Sequence, residues 1–211
     1  MYIPKYYKLE DQDEIQRFLK ANSFAILISN HEGVPVGTHI PLEIEKTDEG
    51  QLILQGHIAR GNPQWRTFAE NKQVLAIFSG PHTYVSSSWY SQVNVPTWNY
   101  QAVHVYGSVR IIDGEELKTT LSRLVKKYEN IAKNPVSVET MPHDMIEKQM
   151  RAIVGFEISI EKIEAKYKLS QNRTEDDYKN IIKELKELDN PDSDKIANEM
   201  ERLKGAMKNE E

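Results

Sequence analysis

Three strand-length runs follow one another between Ser23 and His57, each closed by a turn signal. Phe24-Ala25-Ile26-Leu27-Ile28 forms a compact apolar run inside Ser23–Ser29, and His31-Glu32-Gly33 turns the chain. Val34–Glu45 reads as a second strand, bent where Pro35, Gly37 and Pro41 interrupt it. Thr47–Gly50 is the next turn and Gln51–His57 the third strand. Such a meander leaves unpaired edges unless the sheet closes on itself. Further strands are expected at Gln73–Ser79, then at His82–Ser86 after a Gly80-Pro81 turn, at Trp98–Ile112 and at Ile153–Lys168. Six or seven strands with few helices predict a closed antiparallel barrel.

Helical periodicity appears at the margins. Asp11–Ala21 places Ile15, Phe18 and Leu19 on one face, and Glu115–Ile131 aligns Leu117, Leu121, Leu124, Val125 and Tyr128. A loop with Pro135 and Pro142 leads to Ile146. The tail carries Tyr178, Ile181, Ile182, Leu185 and Leu188 at helical spacing, then Ile196, Met200, Leu203 and Met207 after Asn190-Pro191. Both stripes are expected to pack on the barrel or on a second copy.

Composition narrows the function. With 39% hydrophobic residues a core is affordable, and no run is long and apolar enough for a membrane helix. Met1–Glu10 lacks the apolar core of a signal peptide. The absence of cysteine excludes disulfides, thiolate–metal sites and thiol catalysis, and fits a cytoplasmic protein. Residues 175–211 hold 12 acidic and 7 basic side chains, a net of −5 that equals the formal charge of the whole chain. Duplex binding needs clustered Lys and Arg, so neither this tail nor the neutral remainder resembles a nucleic-acid arm.

Gln55–Trp65 is the segment with the most chemical content. A strand ends in a Gly- and Arg-containing turn, and Asn62-Pro63 opens a helix expected to run to Glu70. Asn62 suits the N-cap and Pro63 the first helical position. Free N–H groups, the helix dipole and Arg60 would together suit a phosphate. A capped junction with Arg60 in solvent explains the same residues. Ser86–Tyr90 and Val95–Tyr100 set Trp89, Trp98, Tyr90 and Tyr100 among hydroxyl residues, which would wall a flat ring or plug an interface. The histidines at 31, 39, 57, 82, 104 and 143 form no metal-ligand spacing, so no metal is expected.

Several of these segments occur together, in order. Met1–Lys5, Gly37-Thr38-His39-Ile40-Pro41-Leu42, Gly56–Trp65, Gly80–Ser86, Ser88-Trp89-Tyr90, Val95–Tyr100, Val103–Gly107, Ile153–Ile158 and Lys166–Arg173 resemble the PaiB-type family. The resemblance implies an FMN-binding split β-barrel, related to pyridoxamine-phosphate oxidases, over residues 1–174, followed by an acidic helical tail over 175–211. It implies a homodimer that acts as a negative transcriptional regulator, a repressor of sporulation and of secreted protease synthesis. DNA or a second regulator would be its further partner. The flavin phosphate would sit at the turn His57–Trp65, with Arg60 and Asn62 facing it and Gln64 and Trp65 beside it. Thr38 and His39 would line the pocket, and Thr97, Trp98 and Asn99 of a second subunit would meet the ring.

The chain departs from the oxidase relatives. Asn62-Pro63-Gln64 stands where they carry paired basic residues, and Ala102-Val103-His104 where they carry Gln-Val-Arg. Oxidase activity is therefore not implied. A flavin-dependent oxidoreductase for a small molecule is the alternative, with His39, His57 and His104 as proton-transfer candidates. A noncovalent haem protein ranks third.

Overall fold

The computed structural model describes residues 1–207. Residues 208–211 and the side chains of Ala206 and Met207, which belong to the expected acidic tail, lie outside the described residues. Helix α1 covers Gln12–Ala21 and is followed by strands β2 (Phe24–His31), β3 (Val34–Pro41), β4 (Glu43–Lys46) and β5 (Leu52–Ala59). A 3-10 turn over Pro63–Arg66 runs into the single-turn helix α2 (Thr67–Glu70). Strands β6 (Gln73–Val85) and β7 (Thr97–Ile112), helices α3 (Gly114–Glu129) and α4 (His143–Arg151), strand β8 (Ile153–Lys168) and helices α5 (Glu175–Glu187) and α6 (Pro191–Met207) complete the order. A two-residue strand β1 (Lys8–Leu9) precedes them and pairs with β8.

All eight strands join one sheet in the order β3-β2-β6-β7-β8-β5-β4, with β1 added on β8. The described pairings of β1, β2, β3, β4, β5 and β8 are antiparallel. The protein is thus mainly β with peripheral helices, as the alternation predicts. Its end strands are guarded. β3 carries Pro35 and Pro41, which remove backbone donors, and β4 carries Glu43, Glu45 and Lys46.

Three local expectations are corrected. The long bent strand Val34–Glu45 is two strands, broken at Leu42, whose side chain is fully buried and whose N–H donates to Ser23 O at 2.8 Å. Gly80-Pro81 does not turn the chain, and β6 runs straight through it. The β2 ladder covers only Leu75–Ile77, so the donor that Pro81 lacks is not needed there. The segment after Pro142 is helix α4 rather than loop. None of its side chains is buried, so its apolar stripe is too short to read as helical.

The described chain divides into two compact units. The first comprises Met1–Ile15, Ser79–Val103 and the chain from Glu164 onward; the second comprises Gln16–Phe78 and His104–Ile163. In the first, α5 and α6 pack on each other through buried Ile181, Leu185, Ile196 and Met200. The Tyr178 hydroxyl donates to Met200 O at 2.9 Å, and Thr174 caps α5 by accepting from the Asp177 N–H. In the second, Leu27, Leu54, Phe78, Phe156 and Ile158 are fully buried, and Phe68 meets Phe156 edge-on at 5.4 Å.

Helix α3 is held differently. Thr120 donates to Gln55 Oε1 at 3.1 Å and Arg123 to the same oxygen at 2.7 Å. Gln55 donates to the buried Glu157 at 2.9 Å, and Arg110 bridges Glu157 and Glu116. A polar network therefore seats this helix alongside Leu117.

Strands β7 and β8 approach closely at Gly107. A Cβ there would lie 2.1 Å from Ser159 O, which no side chain can occupy without moving backbone. Gly107→Ala should therefore lose about 1–3 kcal/mol of unfolding free energy. Gly61→Ala, where a Cβ meets nothing within 4 Å, should change stability by less than about 0.5 kcal/mol. Denaturant titration of both variants checks this, and equal midpoints would contradict the packing at Gly107.

Candidate functional site

Strand β5 delivers the chain to the turn that the sequence marked for a phosphate. Alternation buries Leu54 and Ile58 on one face and sets Gln55 and His57 on the other. At the strand end the Arg60 N–H donates to Ala152 O at 2.8 Å. Its guanidinium donates through Nε to Arg151 O and through Nη2 to Ile153 O, both at 2.8 Å. These acceptors are neutral carbonyls. Arg60 has no carboxylate partner among the described residues, so the turn keeps an uncompensated, solvent-facing positive charge.

The rest of the turn is tied inward. Asn62 caps the 3-10 turn by accepting from the Gln64 N–H at 3.0 Å, with Pro63 at the first position. Its amide donates to Thr38 Oγ1 at 2.9 Å, and the Thr38 hydroxyl donates to Gln64 Oε1. Gln64 is 1% exposed. Its Nε2 lies 3.0 Å from Leu27 O, 3.1 Å from Val36 O and 3.2 Å from Ser29 Oγ. Thr67 Oγ1 lies 2.8 Å from the same serine oxygen.

This geometry corrects two expected roles. Gln64 does not face a cofactor, because its carboxamide is spent joining β2, β3 and the turn. The dipole of a long helix is also missing, since a 3-10 turn and a single α-helical turn replace the expected run to Glu70. Asn62 serves as cap and as the link to Thr38. The positive charge at the turn therefore comes from side chains, Arg60 and Arg66.

Trp65 stands beside it half-buried, its indole N–H donating to Arg60 O at 3.0 Å and its ring 5.6 Å from the Arg66 guanidinium. A cavity of about 400 Å³ opens next to Arg60 and Trp65, with Leu117, Met150 and Val154 as apolar wall and Asp113 at its rim. Helix α4, unseen in the sequence, supplies Glu147, Met150 and Arg151 to it. A cation without a counterion, an indole and an apolar wall fit a ligand with an anionic group and a flat ring.

The other expected residues separate by role. His39 is exposed and its ring stacks on exposed Phe24, centroids 6.3 Å apart. His57 is half-buried, and that burial alone holds its imidazole below the ordinary histidine range. These residues belong to the second unit, with Thr38, Arg60, Asn62, Gln64 and Trp65. Thr97, Trp98 and Asn99 belong to the first. There Trp98 is 53% exposed and clusters with Tyr84 and His82, at 5.9 and 6.0 Å. Thr97 accepts from Lys168. Asn99, expected to meet a ring, is fully buried instead, accepting from the Ser170 hydroxyl at 3.0 Å. Among the described residues no group of side chains could hold a metal ion, and no helix is long and apolar enough to cross a membrane.

Comparison with known proteins agrees with this picture. The family model described as "Putative FMN-binding domain" matches residues 1–162. The Protease synthase and sporulation protein PAI 2 of Bacillus subtilis is 47% identical over 201 residues, covering 95% of this chain and 97% of its own length. Two solved structures share the fold, both distant in sequence. The FAD and haem binding protein of Mycobacterium smegmatis superposes with a TM-score of 0.57 at 14% identity, covering 77% of this chain and 73% of its own. The flavocytochrome Anf3 of Azotobacter vinelandii gives 0.55 at 19% identity, covering 84% and 78%.

The burial of His57 has a measurable consequence. Unfolded, the imidazole titrates near 6.5; folded, it titrates lower. Between the two values the unfolded chain binds the extra proton, so stability falls as pH drops below about 6.5 and is full above it. Denaturant midpoints taken from about pH 7.5 to about pH 5.5 should drop further for the wild type than for His57→Gln. An identical pH response in both proteins would show that His57 is not the group responsible.

Proposed function

Because the chain belongs to the PaiB-type FMN-binding family, with the split-barrel fold of that family, we propose that it is a cytoplasmic, FMN-binding negative regulator of transcription. Sporulation and the synthesis of secreted degradative enzymes are its proposed targets, and a homodimer its working form. The observation that carries the reading is the 47% identity, end to end, with a protein named for protease synthesis and sporulation.

In this reading Arg60 binds the flavin phosphate, its charge left unpaired by the backbone carbonyls that fix its position. Thr38 and Asn62 hold the turn at its register, and Trp65 offers a ring and an indole edge beside the cavity. His39, and Trp98 of a second subunit, both exposed aromatic rings, are candidates to meet the flavin ring system. Bound flavin would supply a one- or two-electron redox change, a signal that a regulator can read. One feature favours the oxidoreductase alternative: burial of His57 lowers its pKa, which favours the neutral imidazole that a general base requires.

Flavin loading tests the proposal. Purified protein incubated with FMN and washed should keep visible flavin absorption, and sedimentation should give a dimer mass. Arg60→Ala should weaken FMN binding about tenfold or more, as expected for a lost charged hydrogen bond, while the melting temperature changes little. A colourless wild type after washing, or an Arg60→Ala protein with unchanged FMN affinity, would refute the assigned role. Steady oxidation of a nicotinamide donor by the loaded protein would favour the enzyme.

A further inference from the structure

The late run Lys166–Arg173 carries three cations that the proposed flavin site does not use. Lys166, Lys168 and Arg173 all lie in the first unit. β8 sets Lys166 and Lys168 two residues apart, on one face of the strand, and Lys8 stands opposite Lys166 on β1. Lys8 has Glu10 as partner. The other three have no ion-pair partner among the described residues, and every polar or ring contact they make is to a neutral group.

The Lys166 ammonium belongs to a residue only 8% exposed. It donates to Tyr2 O at 3.2 Å and lies 5.3 Å from the Tyr100 ring. Lys168 donates to the Thr97 hydroxyl and, at 3.0 Å, to Trp98 O. The Arg173 guanidinium sits 4.6 Å over the Tyr90 ring. Two buried polar atoms at this place have no hydrogen-bond partner among the described residues: Arg173 Nε and the Tyr90 hydroxyl.

Four acids of this unit are held by other partners. Asp177 feels the charge of Arg173, but it accepts from the Ser91 N–H at 2.8 Å and from Thr174. Glu14 serves Tyr167 and Arg202, Glu164 serves the N-terminal amine, and Glu199 serves Arg202 and Gln101. Like charges in a half-buried setting repel with little screening. Burial first, then the charges of Lys166 and Arg173, hold the Lys168 ammonium below the ordinary lysine range. A protein gains nothing from this arrangement alone, whereas an anion would relieve it.

We propose that Lys166, Lys168, Arg173 and the Tyr90 hydroxyl form a binding site for a small oxyanion, the phosphate or carboxylate end of a metabolite. The site draws on none of the residues of the Arg60 turn and does not rest on the flavin reading. The oxyanion supplies the acceptor that Arg173 Nε–H and Tyr90 lack, and the negative charge that the cations lack. Because Lys168 also holds Thr97 and Trp98 O, occupancy of the site bears on the exposed aromatic cluster around Trp98.

Lysine footprinting on the unaltered, full-length protein tests this. Amines are acetylated briefly at low ionic strength, in inorganic phosphate, in succinate, or in sodium chloride of matched ionic strength, and each lysine is read by mass spectrometry. Phosphate or succinate should slow Lys168 labelling severalfold relative to chloride and saturate, with Lys118 and Lys195 unaffected. The stronger protector identifies the phosphate or carboxylate class. Arg173→Met should move the midpoint of protection about tenfold upward, and Arg60→Ala should leave it in place. Equal labelling of Lys168 in phosphate, succinate and chloride overturns the proposal. So does protection that disappears in Arg60→Ala, which would assign the anion to the turn.

Discussion

The carboxamide of Gln64 holds the candidate site to the sheet. A buried amide costs several kcal/mol if its hydrogen bonds are unmade, on the order of 2–7 by transfer from water. Here the donor side meets a carbonyl of β2, a carbonyl of β3 and a serine hydroxyl, while the acceptor side receives the Thr38 hydroxyl. One side chain thus fixes two strands and the turn in a single register. Moving the turn would leave several polar atoms unpaired at once, so Arg60 and Trp65 inherit a defined position from a residue that itself touches nothing outside.

Much of the fold was legible because burial alternates along strands. β2 and β7 alternate along most of their length, whereas β5 and β8 bury runs of consecutive residues and were read from their apolar content instead. The failures have local causes. Pro81 reads as a breaker, yet it stands beyond the β2 ladder and costs that pairing nothing. Helix α4 is nine residues long and buries no side chain, so its apolar stripe is too short to read as helical. The site was legible in part. Asn62 and Pro63 take the positions that their chemistry predicts, and Arg60 is exposed and unpaired. The inward ties of Gln64 and Asn99 were not legible, because a side-chain amide looks the same in sequence whether it faces a ligand or the interior. Only the contacts of Leu27, Val36 and Ser170, distant in the chain, decide it.

Charge is placed unevenly for a protein of net −5. Most acidic side chains of the C-terminal helices are matched locally, as Glu175 is with Lys179 and Lys204, or Glu201 with Lys186. Exposed pairs of this kind add little stability. They do keep the field low over α5 and α6, so an anion is drawn instead to cations held close together or fixed in place without a carboxylate beside them. Arg60 and the Lys166–Arg173 group are two such places, each built in a different unit.

The two end strands of the sheet carry a consequence for the protein as a population. Each bare row of backbone donors and acceptors is an invitation for another chain to lengthen the sheet. β3 interrupts its row with Pro35 and Pro41, and β4 lines its own with Glu43, Glu45 and Lys46. Strand-by-strand growth of the sheet into a fibril is therefore disfavoured at both ends by the sequence of the end strands themselves.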